Sequence, residues 1–217
     1  MILYGRPLTV GSFAAIMALE ECEVEFEVEW QEPGAPADAL AAMHPLGTLP
    51  FLALEGERGI ANALVIVRYL ERRFPSAWHR PASGKEAARA GWVAEFALDE
   101  IGPAAAEFFH GTVVAPAVGL DVNQDRMREA WGWIASPQER LGDRSRFDIL
   151  EEKATSGWFN TSDIGAAGIA VSAALAPLLL GETDFEQWPA MLEVVRRFAS
   201  RPSLGEQLDD IRELLAE

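Results

Sequence analysis

The sequence predicts an α+β domain with the element order βαβ–ββα, followed by an all-α helical bundle. The first 76 residues mix strand-like alternation with short helices, whereas residues 85–217 show helical patterns and no convincing strand. Between them, residues 74–84 contain two prolines, two serines and a glycine, which is typical of a linker. We therefore expect domains at residues 1–76 and 85–217, joined by a linker at residues 77–84.

The first domain begins with a short apolar strand at residues 2–5. Ser12 can supply the N-cap of a helix over residues 13–21. In residues 23–30 four glutamates alternate with apolar residues, and this period of two with one acidic face predicts a half-buried strand. These three elements form the βαβ half of the domain.

The second half of the domain follows a loop and a short predicted helix at residues 37–43. Residues 51–54 form an apolar strand, and the glycines within residues 55–59 indicate a hairpin turn. Asn62 caps the next helix, which runs from residue 63 to about residue 73. This order of strand, turn, strand and helix completes the ββα half.

The bundle is predicted from six helical patterns. They cover about residues 85–109, 123–135, 144–155, 161–180, 187–200 and 203–215. Residues 164–181 carry no charge, yet their glycines, alanines and proline make them too weakly apolar to span a membrane comfortably. We interpret this stretch as a helix buried on all sides in the bundle.

The charge balance narrows the class of partner. The chain has 18 basic and 34 acidic residues, which gives a formal net charge of −16. Nucleic-acid binding needs a basic surface, and an anionic membrane would repel this protein. We therefore expect neither nucleic acid nor a membrane as a partner.

Cys22 is the one cysteine in the sequence, which excludes an intrachain disulfide and a thiolate metal cluster. A lone thiol fits a reducing compartment, and residues 1–7 lack the basic and apolar regions of a secretory leader. We expect a cytoplasmic protein without a metal. Cys22 itself is expected to be a small, buried apolar residue at the end of the first helix.

Two segments of the first domain could carry chemistry, and the first is the entry to the strand at Pro50. A proline that opens a strand cannot donate to the sheet, and a cis Leu49–Pro50 bond is one arrangement that tolerates it. A cis turn presents the backbone of Leu49 to an extended, peptide-like ligand. An ordinary trans turn is the alternative that composition alone leaves open.

The second segment is the turn at residues 6–12, between the first strand and the first helix. Thr9 and Ser12 place hydroxyls near a helix N-terminus, where free amides and the helix dipole stabilise an anion such as a thiolate. The alternative is that either hydroxyl serves only as an N-cap.

Taken together, these segments resemble the soluble glutathione transferase superfamily, in particular its bacterial members. The matching segments keep their order and cover nearly the whole chain; they are residues 3–9, 44–50, 63–70, 160–164 and 188–203. The resemblance implies a thioredoxin-like domain followed by a helical domain, with glutathione as co-substrate, no metal, and usually a homodimer. It also implies a cis Pro50 and a capping box in residues 160–164.

The chain departs from the family pattern where the γ-glutamyl end of glutathione is bound. The resemblance puts Asn62 and Ala63 at positions where the family usually has Glu-Ser. Asn62 can still donate a hydrogen bond, but Ala63 has no hydroxyl. Loss of one charge-assisted hydrogen bond costs roughly 1.5–3 kcal/mol, which is on the order of ten- to hundredfold in affinity. Val65 is a milder departure, since it replaces alanine and keeps the position apolar.

The resemblance also implies the catalytic hydroxyl. It aligns Thr9 with the catalytic Ser or Thr of many bacterial members and Ser12 with the Cys of cysteine-type members. A Thr9 hydroxyl would donate to the glutathione sulfur and favour its thiolate at neutral pH. We expect Thr9 to matter more than Ser12, while Leu49 and Pro50 would hold the cysteinyl part of glutathione through the backbone.

The implied function is glutathione transfer to an apolar, electrophilic small molecule bound between the domains. Phe108, Phe109 and His110 are candidates for lining that second site. The alternative is a non-catalytic or specialised member of the fold, such as a lyase or isomerase, with weakened glutathione binding. Asn62 and Ala63 favour this alternative, and fold alone does not separate the two.

Overall fold

The protein is described from a computed structural model. The described residues are 1–31, 41, 44, 47–56, 58–78, 81–159, 165–181 and 183–216, without the side chains of residues 214 and 216. The predicted helix at residues 37–43 falls almost entirely outside this set.

A four-stranded mixed sheet forms the first part of the chain. Its strands lie in the order β2-β1-β3-β4. β1 pairs in parallel with β2 and antiparallel with β3, and β3 pairs antiparallel with β4. The strands are β1 (Ile2–Gly5), β2 (Glu27–Trp30), β3 (Phe51–Ala53) and β4 (Ile60–Ala61). The predicted strand order along the sequence and the hairpin are confirmed.

Two boundaries differ from the sequence prediction. Helix α1 (Val10–Glu21) begins before Ser12, because Thr9 and not Ser12 is its N-cap. Strand β2 begins at Glu27, four residues later than the alternation suggests. The reason is that Glu23, just after α1, has a φ of 52°, and residues up to 26 serve as the connection. Helix α2 (Ala63–Arg73) begins after an Asn62 cap, as predicted.

Helices make up the second part of the chain. They are α3 (Gly84–Glu95), α4 (Gly102–Phe109), α5 (Ala115–Ala117), α6 (Gln124–Ala135), α7 (Arg146–Thr155), α8 (Ala166–Leu180), α9 (Pro189–Ala199) and α10 (Pro202–Ala216). The segments Phe96–Ile101 and His110–Val114 are π-helical and interrupt the long first run of the bundle. After Ala61 the described residues form no strand, only one isolated bridge between Gln138 and Arg144.

Helix α8 lies at the centre of the molecule. Every residue from Ala166 to Leu178 is buried, and the helix packs against α1 as well as α3, α4 and α9. The prediction of a helix buried on all sides is confirmed, whereas the predicted capping box in residues 160–164 lies outside the described residues. None of the helices that the structure describes is long and apolar enough to cross a membrane.

An ion pair ties the first helix to the last. The Glu21 carboxylate at the end of α1 accepts two hydrogen bonds from the Arg201 guanidinium, at 2.6 and 2.7 Å. Ser203 in the first turn of α10 donates a third. The Glu21 side chain is 4% exposed, so this bidentate contact holds α10 against α1. The division into residues 1–76, a linker at 77–84 and 85–217 stays a prediction.

Candidate functional site: a cleft at two helix N-termini

A cleft of about 620 Å³ opens where α1, the Pro50 turn and α2 begin. Five of the six residues proposed from the sequence line it; they are Thr9, Leu49, Pro50, Asn62 and Ala63. The fold brings together residues that are up to 54 positions apart in sequence, because β1 and β3 are neighbours in the sheet and both lead to this edge.

Thr9 sits at the mouth of the cleft as the N-cap of α1. Its Oγ1 donates to the carbonyl of Arg6 at 3.0 Å and accepts from the Ser12 amide at 3.4 Å. Val10 and Gly11, the first two residues of α1, also line the cleft. Their backbone amides have no intrahelical carbonyl to donate to, because they lie in the first turn of the helix. This corner therefore offers a hydroxyl, free amides and the positive end of a helix dipole to an anion.

Ser12 is the sixth proposed residue, and it does not line the cleft. It is 2% exposed, and its Oγ accepts a hydrogen bond from the Arg6 amide at 3.0 Å. The hydroxyl oxygens of Ser12 and Thr9 lie 2.9 Å apart. Ser12 is thus buried beside Thr9, where its hydroxyl holds the Arg6 amide and lies within hydrogen-bond distance of the Thr9 hydroxyl.

The Leu49–Pro50 peptide bond is cis, as predicted. Pro50 packs closely on Gly11, since a Cβ at Gly11 would lie 2.9 Å from the proline Cδ. The Pro50 carbonyl accepts a hydrogen bond from the Asn62 amide at 3.1 Å. These contacts join the Pro50 turn to the starts of both helices.

The start of α2 is arranged differently from the start of α1. Asn62 has a φ of 77°, and its Oδ1 accepts hydrogen bonds from the amides of Leu64 at 3.0 Å and Val65 at 3.4 Å. The side-chain oxygen is therefore engaged in capping. Ala63 is 8% exposed and contributes only a methyl group.

The second wall of the cleft comes from the long helical run of the bundle. The residues that line it are Leu98, Asp99, Gly102, Pro103 and Ala106. The sequence prediction of Phe108, Phe109 and His110 for this wall is wrong. Phe109 is buried in the core, Phe108 packs on Trp131 and His110 is exposed, so none of the three lines the cleft.

The charges in the cleft are few. Among the lining residues that the structure describes, Asp99 is the one acid, and there is no lysine or arginine. Burial raises the pKa of the Asp99 carboxyl, and the neighbouring charges of Glu95 and Glu100 raise it further. The Nδ1 atom of His44, which also lines the cleft, is buried and has no hydrogen-bond partner among the described residues.

Sequence reasoning missed Gly11, His44 and Asp99 as parts of the site. His44 lies in a segment that the resemblance did cover, and Gly11 lies in the turn region, so both could have been found there. Asp99 lies in the helical run that the sequence predicts at residues 85–109, but its place in the cleft depends on how that run packs against the first part of the chain.

Cys22 plays no part in this cleft. It is 9% exposed, and burial raises the pKa of its thiol to about 11. Cys22 is thus a buried residue, as expected. Among the described residues, no group of histidine, cysteine, aspartate and glutamate side chains is arranged to hold a metal ion.

Residues 12–73 match the family described as glutathione S-transferase, N-terminal domain. Solved glutathione S-transferases also superpose on 95% or more of the chain. The chain has the glutathione S-transferase fold. The resemblance to the soluble glutathione transferase superfamily is therefore confirmed, and so is the predicted thioredoxin-like domain followed by helices.

Three solved structures illustrate this fold. The glutathione S-transferase from Sinorhizobium meliloti 1021 is 20% identical with a TM-score of 0.74, over 95% of this chain and 90% of that one. The glutathione S-transferase from Xanthobacter autotrophicus Py2 is 19% identical with a TM-score of 0.75, over 97% and 98%. A maleylacetoacetate isomerase from Methylobacterium extorquens AM1, with bound malonate and GSH, is 16% identical with a TM-score of 0.68, over 95% of each chain. No curated protein sequence matches this chain.

Proposed function

We propose that the protein is a glutathione transferase-like enzyme that activates the glutathione thiol for attack on an apolar, electrophilic small molecule. The single observation that carries the proposal is that Thr9, the N-cap of α1, lines a cleft that also contains the cis Pro50 turn. A solved neighbour with the same fold is described with bound GSH, which supports the choice of tripeptide.

Thiol activation follows from the polarity of this corner. To reach a sulfur in the cleft, the Thr9 O–H would turn away from its two acceptors in the turn, the Arg6 carbonyl and Ser12 Oγ, while Oγ1 still accepts from the Ser12 amide. A hydrogen bond donated to the sulfur, together with the dipole of α1, favours the thiolate over the thiol. The thiol proton passes to solvent, the thiolate sulfur forms a bond to the electrophilic carbon, and the bond from that carbon to the leaving group breaks, so the leaving group departs with its electron pair.

The second substrate would occupy the space against the bundle wall. Four of its five lining residues are apolar or lack a side chain, and Asp99 is the exception. This wall suits an apolar body. Burial and the charges of Glu95 and Glu100 raise the pKa of the Asp99 carboxyl.

Glutathione binding is proposed to be weak. The backbone N–H and C=O of Leu49 can pair with the cysteinyl part of the tripeptide, but the described cleft offers no lysine or arginine to its two carboxylates. Ala63 contributes no hydroxyl, and the Asn62 oxygen already accepts two backbone hydrogen bonds.

Two measurements on the wild-type protein test this proposal. Calorimetry with glutathione gives the affinity, and spectrophotometric assay with an aryl halide electrophile gives the rate of conjugation. Measurable binding with turnover above the uncatalysed rate supports the enzyme. Binding without turnover on any electrophile class would instead support the alternative, a specialised or non-catalytic member of the fold, which the poor γ-glutamyl side of the cleft favours.

We also propose a homodimer, with the first domain of one chain against the helical domain of the other. Two exposed apolar side chains support it: Val65 on α2 is 52% exposed, and Trp92 on α3 is 40% exposed. Isolated exposed apolar residues are common. These two support the dimer because Val65 belongs to the first domain and Trp92 to the helical domain, the two parts that would meet in the proposed contact.

Light scattering at micromolar concentration tests the dimer. The wild type is expected to have the dimer mass, and Val65→Glu and Trp92→Glu to shift it toward the monomer. Val118→Glu is the matched control, because Val118 is 61% exposed but lies on neither helix. A monomeric wild type contradicts the proposal.

A further inference from the structure

A second cavity of about 500 Å³ lies between α1, β2 and α10. Among the described lining residues, Leu8 is the only one that it shares with the cleft at the N-termini of α1 and α2. No part of the proposed reaction uses it, and its size falls within the range of small-molecule sites.

The floor of this groove is apolar and partly aromatic. Phe13 and Ile16 of α1 and Ile211 of α10 are buried, while Phe26 and Val28 are half-buried against them. Trp30 at the end of β2 also lines the groove, and it is 48% exposed. An exposed indole beside a buried apolar floor is available for contact with a ligand.

The rim of the groove is acidic and uncompensated. Glu20 of α1 and Glu206 and Asp210 of α10 line it, and none of the three has an ion-pair partner among the described residues. Burial raises the pKa of the Glu20 carboxyl, and the charge of Glu206 raises it further. The described lining contains no lysine or arginine.

Neighbouring carboxylates that point elsewhere do have partners. Asp209 pairs with Arg212 at 2.6 Å, and Glu21 pairs with Arg201. Arg201 and Arg212 are thus engaged outside the groove, whereas the charges of Glu20 and Glu206 on its rim repel each other. A cation placed among them would relieve this repulsion.

We propose that the groove binds an amphipathic organic cation, that is, a small molecule with an apolar or aromatic body and an ammonium group. The body would lie on the floor formed by Phe13, Ile16 and Ile211. The ammonium group would lie among the three rim carboxylates, with the Trp30 ring available for a cation–π contact. An anionic ligand of the same shape would meet only repulsion on this rim.

A charge-reversed pair of probes tests this site. 2-(1-Naphthyl)ethylammonium is the cation, and 1-naphthylacetate has nearly the same body with a negative charge. Calorimetry on the full chain is expected to detect the cation and not the anion. Glu206→Gln with Asp210→Asn should weaken cation binding, by about two- to fivefold for each charge removed. Trp30→Leu should weaken it by a similar factor.

Overall acidity could attract a cation anywhere on the surface, so the control removes equal charge outside the groove. Asp209 and Glu213 lie on the same helix, α10, but do not line the groove. The double variant Asp209→Asn with Glu213→Gln should therefore leave cation affinity within about twofold of wild type. Thr9→Ala should also leave it unchanged. The proposal is overturned if the cation does not bind, if the anion binds equally well, or if the two double variants weaken binding equally.

Discussion

The two helices that begin at the cleft are capped by different means, and this difference separates the two ends of the proposed glutathione site. At α1 the cap is the Thr9 hydroxyl, which accepts a hydrogen bond from a helix amide and can still donate one to a ligand in the cleft. At α2 the cap is the Asn62 carbonyl oxygen, which accepts two amide hydrogen bonds, so the NH2 group is the part of this side chain that can still donate. One N-terminus is therefore suited to a thiolate, while the other is largely satisfied within the fold.

The largest effect is expected at α1. Thr9→Ala removes the donor to the sulfur, so turnover should fall by about ten- to hundredfold. It also removes an N-cap, which costs about 1 kcal/mol of unfolding free energy. Conjugation rates measured alongside thermal unfolding separate the two losses.

Two variants serve as controls for Thr9. Thr9→Ser keeps both the cap and the donor, so its turnover should return toward wild type. Ser12→Ala removes the neighbouring hydroxyl, which is buried beside Thr9, and should have the smaller effect on turnover. Full activity in Thr9→Ala, with abolished activity in a folded Ser12→Ala, would reverse the assignment of the two residues.

A smaller effect, of opposite sign, is expected at α2. Ala63→Ser restores a hydroxyl at the γ-glutamyl end, and Gly11 without a side chain leaves space beside the methyl group. Glutathione affinity should rise by up to about tenfold. Calorimetry on wild type and variant decides; tight wild-type binding with no gain would mean that other residues hold this group.

The double variant Asn62→Glu with Ala63→Ser restores the whole family pattern and should also tighten binding. The structure adds a cost, because Asn62 caps α2 at a positive φ of 77°. Its unfolding free energy should therefore fall by about 1 kcal/mol relative to Ala63→Ser alone, which denaturant unfolding can measure.

The smallest effect is expected for Asn62→Asp. Aspartate keeps an oxygen for the amides of Leu64 and Val65, tolerates a positive φ, and adds a negative charge for the ammonium of glutathione. Affinity should rise about two- to fivefold without loss of stability. If Asn62→Asp weakens binding, the ammonium group of glutathione does not lie at the start of α2, and the proposed contrast between the two helix starts is wrong.

Much of the fold could be predicted from the sequence, because local chemistry dictates it. The Asn62 cap, the glycine-containing hairpin and the uncharged helix at residues 166–180 each follow from residues adjacent in the chain. The cis Pro50 was reached through the family resemblance and confirmed in the structure. The site residues were also proposed through that resemblance, and five of the six lie in one cleft.

Tertiary structure decided the role of Ser12 and the composition of the bundle wall, because both depend on contacts between residues that are not neighbours in the sequence. Ser12 looked like a cap by composition, but the packing of Gly5 and Arg6 against its hydroxyl draws it inside and leaves the cap to Thr9. The bundle wall of the cleft is formed by Asp99 and its neighbours and not by Phe108 and Phe109, because Phe109 is buried in the core and Phe108 packs on Trp131. Sequence period records the average turn of a helix, whereas burial and phase are set by the elements that pack against it.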